Sequence, residues 1–418
     1  MDRLTVTEFE QTGGFDDWRV LDVGASAWFD APSLTAGAAL VRRIAELVDS
    51  NGLPDVELRT SGVRVRIGAP GSADLSQADV ALARAISAAA EELGLAADPT
   101  ALQTMHLVFD TADQPSLMSF WRTVLSYDPV GDDGLEDPSR RDPAISFHRL
   151  DQPRPLRNRI HLDVVRTPDA VEAAKAAVGG EAYGAYGLAL ADADGNEVDL
   201  VPGDELSEGP ETADWRVVFG AMTFYPITSP VQGAELASAV AGLADDVGLP
   251  VLVDLRSDGV TIDSGKDQWE EAEDPSAPRF VDLAVRIQTA AHELGHAADP
   301  EPLRFVQLGL DAVDVAAARA FWTAVLGYQL DPRTHVTDIC DPRRLNPEII
   351  FQEMDASEED RRRQRNRIHF DLFVPSDQAQ ARIDAAVVAG GQILSNTTPD
   401  RCTIADPEGN EVDVVTLP

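Results

Sequence analysis

The sequence predicts an α+β chain built by internal duplication. Two observations carry this reading: short motifs that return in unbroken order, and alternation of strand-like apolar–polar runs with amphipathic helical stretches. Asp17-Trp18-Arg19-Val20 returns as Asp214-Trp215-Arg216-Val217, Gly52-Leu53-Pro54 as Gly248-Leu249-Pro250, and Phe120-Trp121 as Phe321-Trp322. Arg157-Asn158-Arg159-Ile160-His161 returns as Arg365-Asn366-Arg367-Ile368-His369, and Gly195-Asn196-Glu197-Val198-Asp199 as Gly409-Asn410-Glu411-Val412-Asp413. The separation between copies grows along the chain, so the halves differ by small insertions, which belong in loops. Each half divides again at Ala96-Ala97-Asp98-Pro99 or Ala297-Ala298-Asp299-Pro300, where an Ala-rich helix stops before a proline. The expected domains are 14–99, 100–203, 214–299 and 300–418.

Composition bounds the function. The 418 residues exceed one domain, and 44% hydrophobic with 25% charged residues is a globular balance. Against 34 Lys and Arg stand 72 Asp and Glu, a net charge of −38 that repels phosphate backbones and anionic membrane faces. Nucleic-acid and membrane partners are therefore disfavoured. The polar, acidic start from Met1 to Gly14 and the lack of a long apolar run predict a cytoplasmic protein. Cys340 and Cys402 are too few for a disulfide framework and are expected as thiols. Monomer and homodimer both remain open.

In the first segment, Ser33 is placed to cap a helix whose Leu40, Ile44, Leu47 and Val48 share a face. Gly62 to Gly68 alternates apolar and charged residues as a half-buried strand does, and Ser76 opens a second helix ending at Gly94. This layout, with Leu75 to Asp79 starting the last helix, resembles the pterin-4a-carbinolamine dehydratase family, over most of 15–97 and more weakly 214–298. That family works with paired histidines before the proline and a third in the turn after the strand. Gly52 and Leu53, Gly248 and Leu249, and about Pro70 stand there instead, and none of them exchanges a proton near neutral pH. A degenerate scaffold is the expectation, and dehydratase activity is disfavoured.

His292-Glu293-Leu294-Gly295-His296 matches the HExxH pattern of zinc proteases. The repeat argues against it, because the first copy has Glu91-Glu92-Leu93-Gly94-Leu95 at the end of the same helix.

The second segment begins with a strand carrying His106. Asp113 then opens a helix with Leu117, Phe120, Trp121, Val124 and Leu125 inward. A second strand–helix unit starts at Ile160-His161-Leu162-Asp163, and Gly195-Asn196 makes a hairpin turn into the strand Glu197 to Leu200. The Phe-Trp helix, the Asn-Arg-Ile-His strand and the closing Asp-Gly-Asn or Asp-Pro-Glu-Gly-Asn turn resemble the glyoxalase-like, bleomycin-resistance-like branch of the vicinal oxygen chelate (VOC) superfamily. The resemblance covers about 101–202 and 302–418. It implies two βαβββ modules per domain and a divalent metal, Fe, Mn, Zn or Ni, on residues from their first and last strands.

Position by position, the resemblance implies His106, His161 and Asp199 as ligands in the first copy, and Gln307, His369 and Asp413 in the second. His148 and Gln352 fall on a later strand as pocket residues, and Glu197 or an open-site water is the implied general base. Two histidines and a carboxylate suit such a metal with positions left open, so the first copy is the stronger set. Asp163 and Asp371 share the strand face with the histidines. The implied function is a metal-dependent lyase, isomerase or dioxygenase acting on a small oxygen-chelating substrate; the alternative is a metal-free protein that sequesters a small molecule. Glu358 to Arg367 reads as a solvated charge run, with Arg363 or Arg365 available to an anion, and Asp132–Asp142 and Asp331–Asp341 read as charged loops, with His335 exposed.

Overall fold

The computed structural model describes residues 3–4, 9, 16–22, 24–48, 52–68, 75–184, 186–266, 269, 277–333 and 335–417. The turn at Pro70 lies outside them. The chain forms two compact units, each drawn from both halves: 1–102 with 203–303, and 103–202 with 304–418.

The first unit is built on a nine-stranded antiparallel sheet. The halves join where Leu252–Leu255 pairs with Asp55–Arg59, placing Val253 opposite Leu58 and Leu255 opposite Val56. The helices Leu34–Leu47 and Pro230–Val247 pack close to this sheet: a Cβ on Gly37 would meet the Leu58 side chain at 2.6 Å, and one on Gly233 the Leu255 side chain at 2.5 Å. Ser33 caps the first helix as expected, and the Asp245 carboxylate from the other half accepts from the amides of Leu34 and Thr35 at 3.2 and 2.8 Å. Ser76 and Asp79 form a capping box on the helix Gln77–Glu92.

The Gly62–Ile67 strand departs from the half-buried expectation, because all of it is buried. Its outward arginines are paired: Arg64 donates to Glu57 at 2.7 Å and Arg66 to Asp55 at 2.7 Å, while Arg256 from the second half reaches Glu57 at 2.5 Å. Alternation reports two faces but not whether the polar one meets water.

In the second unit the first half contributes a βαβββ module and a βαββ module, and the second half contributes two βαβββ modules. The first half supplies β1 (Thr104–Thr111), α1 (Gln114–Leu125), β2 (Ile145–Arg149), β3 (Ile160–Arg166), α2 (Pro168–Val178) and β4 (Glu197–Pro202). The second supplies β5 (Arg304–Ala312), α3 (Val315–Leu326), β6 (Ile349–Glu353), β7 (Ile368–Phe373), α4 (Ala379–Val388) and β8 (Glu411–Val415). Short strands complete two sheets, and in both of them the halves are mixed. One sheet centres on β8-β7-β1-β2 and the other on β4-β3-β5-β6. Thus β1 pairs antiparallel with β7, placing His106 opposite Asp371, and β3 pairs with β5, placing Asp163 opposite Gln307.

The repeated motifs hold this exchange together. Arg159, 1% exposed, donates through Nε to Asn410 Oδ1 at 3.0 Å and through Nη2 to the Gly409 carbonyl at 3.3 Å. Arg367 does the reciprocal, reaching Asn196 Oδ1 at 2.9 Å and the Gly195 carbonyl at 3.2 Å. Trp121 donates to Asp192 at 2.8 Å and Trp322 to Asp406 at 2.9 Å, each fixing the carboxylate that organises its Gly-Asn turn. Leu107, Phe109, Leu162, Leu308, Phe370 and Val412 belong to one buried apolar cluster with these helices.

Candidate functional sites on two polar sheet faces

Strand alternation sends every sequence-expected ligand to the face opposite the apolar cluster. The crosswise pairing then overturns their grouping by copy. His106 and His148 share a sheet with His369 and Asp413, whereas His161 and Asp199 share the other with Gln307 and Gln352. The set His106, His161 and Asp199 is therefore divided between sheets, because the hydrogen-bonded neighbour of β1 is β7 and that of β3 is β5.

On the β3–β5 sheet, His161, Asp163 and Asp199 each bring one ligand atom to within 4.8 Å of the others. His161 Nε2 lies 3.5 Å from Asp163 Oδ1, and the Gln307 amide donates to Asp163 Oδ2 at 3.2 Å. The imidazole lies flat against β5 because its cross-strand neighbour is Gly309, where a Cβ would fall 2.1 Å from His161 Cε1. Burial works to lower the His161 pKa, but the hydrogen bond and charge of Asp163, with the charges of Asp311 and Asp199, outweigh it and raise the pKa above the usual histidine value. Burial and the neighbouring Asp163 push the Asp199 carboxyl up.

Glu197, two residues before Asp199, is engaged on both oxygens: Arg157 Nε donates at 2.6 Å and the Tyr183 hydroxyl at 2.8 Å. Burial and that bond push Tyr183 up to about 12. Gln352 is exposed at the end of β6.

On the β1–β7 sheet, His369, Asp371 and Asp413 form the equivalent cluster. His106 is absent from it; its half-buried ring meets Phe373 edge-on at 5.0 Å between centroids. His148 is exposed, its ring 6.4 Å from that of His369. A residue that sequence reading missed dominates this site: Arg401 donates to both oxygens of Asp371, at 2.7 and 2.9 Å, and to Asp413 Oδ2 at 2.5 Å. The register places Arg401 two residues before Thr403, the partner of Asp413; in the first half, Ala189 partners Asp199, and Gly187 stands two residues before it. Burial lowers the His369 pKa, and the charges of Asp110, Asp371 and Asp413 do not restore it. Glu411, the counterpart of Glu197, is clasped by Arg365 at 2.7 Å through both oxygens.

The charge run 358–367 is only partly solvated. Arg361, on the short helix Glu359–Arg363, is buried and bonds Asp311 and the Asn158 carbonyl, while Arg363 is exposed. In the acidic loops, Asp137 and Asp142 anchor Arg304, and His335 is exposed. The HExxH geometry is broken: the helix Phe280–Glu293 ends before His296, Gly295 turns the chain at φ +85°, and His292 Nε2 pairs with Asp214 at 2.8 Å. Cys340 and Cys402 are buried thiols. No helix among the described residues is long and apolar enough to cross a membrane.

A family model for a glyoxalase-like domain matches residues 106–201 and again 307–415. Both matched stretches lie in the second unit, which thus carries a glyoxalase-like domain repeated in two parts. The two matches run along each half, whereas the strand pairing joins each half's first module to the other's second. No curated protein matches the chain. Among solved structures, glyoxalase I from Zea mays is similar at 11% identity, over 75% of this chain and 92% of that one, with a TM-score of 0.34. A variant of the same enzyme gives 12%, 75%, 92% and 0.35. A hypothetical protein from S. aureus gives 12% identity over 26% of this chain and 90% of that one, with a TM-score of 0.21.

Proposed function

We propose that the His161–Asp163–Asp199 site holds a divalent metal, and that the second unit acts there on a small molecule presenting adjacent oxygen atoms, as a lyase, isomerase or dioxygenase. The observation that carries this reading is the convergence of three buried or half-buried donor groups with no guanidinium bonded to them among the described residues. One imidazole and two carboxylates suit Fe, Mn, Zn or Ni. The carboxylates of Asp163, Asp311 and Asp199 gather negative charge around that ring, which a cation would relieve. On the β1–β7 sheet the same demand is met by Arg401, so His369 and Asp413 are the poorer pair for a metal.

His161, Asp163 and Asp199 would hold the ion, which would supply Lewis acidity toward the substrate's oxygens. The chain's own residues do the rest. His161 gives up its proton to become a ligand, Gly309 leaves room for its ring, and Gln307 holds Asp163 in place. Glu197 serves as a base only on leaving Arg157 or Tyr183, and this engagement favours the second reading, a binder that returns its ligand unchanged. The first unit serves as scaffold, and no turnover of a 4a-hydroxytetrahydropterin is expected from it.

Elemental analysis of the purified chain, with His161→Ala and His369→Ala variants beside it, tests the metal reading. About one equivalent of metal, lost with His161→Ala and kept with His369→Ala, is the expected outcome. With a candidate ligand in hand, product analysis separates turnover from sequestration.

A further inference from the structure

On the β1–β7 sheet Arg401 occupies the place of a cation. Its Nη1 donates to Asp371 Oδ1 at 2.7 Å and to Asp413 Oδ2 at 2.5 Å, so one nitrogen bridges the two carboxylates, and Nη2 holds the other Asp371 oxygen at 2.9 Å. His369 completes the group: it, Asp371 and Asp413 each bring one ligand atom to within 4.8 Å of the others. Bonds of about 2.1 Å to a single ion let two donors stand at most about 4.2 Å apart, so the three groups need to close by no more than about 0.6 Å. His369 Nδ1 and Asp413 Oδ1 are each buried without a hydrogen-bond partner, on residues 7% exposed, so neither atom is committed elsewhere.

The other sheet supplies the comparison. His161, Asp163 and Asp199 are the same three residue types, and the position equivalent to Arg401 is Gly187. Asp371 and Asp413 bring two negative charges, of which the guanidinium balances one and a divalent ion would balance both. The neighbouring carboxylates are already matched, Asp110 with Arg154 at 2.6 Å and Glu411 with Arg365 at 2.7 Å, so Arg401 serves this cluster. We infer that His369, Asp371 and Asp413 form a latent divalent-metal site closed by Arg401, and that loss of this one guanidinium opens it to an ion. The latent site is independent of the one proposed on the β3–β5 sheet, because it uses other residues and is read in a chain whose His161 is already replaced.

The test is metal content of the full-length His161→Ala chain after loading with Zn(II) or Mn(II) and dialysis, with and without Arg401→Ala. Arg401→Ala adds about one equivalent, which a further His369→Ala removes. Arg401→Lys, which keeps a positive charge beside the carboxylates, binds the added ion at least about tenfold more weakly than Arg401→Ala does. Because Arg401→Ala leaves two carboxylates facing each other, thermal unfolding is followed alongside, with Arg401→Gln as the milder replacement. Zn(II) raises the midpoint of the Arg401→Ala and Arg401→Gln chains and leaves that of the chain with Arg401 intact unchanged. The proposal is overturned if neither replacement gains metal, if the gained metal survives His369→Ala, if Arg401→Lys gains it as tightly, if both replacements stay unfolded with Zn(II) present, or if the chain with Arg401 intact already holds a metal that depends on His369.

Discussion

Gly309 shows how one missing methyl group shapes a site. Its counterpart across β7 is Val108, opposite His369, so the two histidines of one repeated motif lie against different neighbours. Gly309→Ala drives a Cβ into the His161 ring and is expected to reduce metal affinity about tenfold or more while leaving the fold intact by circular dichroism. Unchanged affinity would show that the ring position does not matter.

The histidines also carry opposite protonation signs. His161 has a raised pKa, so its contribution to stability is present below the unfolded-state value and is lost as pH rises through the folded one. His369 has a lowered pKa, so stability is lost as pH falls through the usual histidine range. Imidazole NMR titration of the metal-free chain should find His161 holding its proton to higher pH than His369. Metal uptake at His161 should strengthen as pH rises through its pKa, because the ion displaces that proton.

Between elements, the central fact is that each half's buried arginine clasps the other half's Gly-Asn turn. Arg159→Met removes the charged donor from Asn410 Oδ1 and the Gly409 carbonyl, leaving Asn410 only its bonds to Asn366 and Asp406, and is expected to cost about 3 kcal/mol, read as a lower urea midpoint. A shift within error would mean that the turns are held by their own Asp192 and Asp406 networks alone. The elements themselves were legible: Asp113 caps α1, the Phe-Trp pair lies on it and on α3, and the Gly195-Asn196 turn leads into β4. The function of the motif was less so. Asn-Arg-Ile-His reads as a ligand-bearing strand, yet its arginine is spent on joining the halves.

Arg401 was missed because it lies outside any repeated motif. The signal available was its alternation with Cys402 and Ile404 across a hairpin from Asp413, which puts it on the ligand face.

For the whole molecule, the pairing partner of each module was not written in the sequence. Duplication gives both halves the same edges, so within-half and between-half pairing look alike until the chain closes. The structure selects the crosswise solution, joining β1 to β7 and β3 to β5. An isolated fragment of residues 1–202 therefore retains edges that match those of a second copy, and light scattering on the fragment should report a homodimer. A stable folded monomer would show that one half can close on itself.

The metal proposed for this chain belongs to the β3–β5 sheet, on His161, Asp163 and Asp199, while on the other sheet Arg401 takes the place such an ion would fill. The most direct measurement is metal content per chain after loading with Fe(II), Mn(II), Ni(II) or Zn(II), compared among the natural sequence, His161→Ala and His369→Ala. About one equivalent removed by His161→Ala alone is the result expected. Metal retained by His161→Ala but lost with His369→Ala, or no metal bound under any loading, would contradict it.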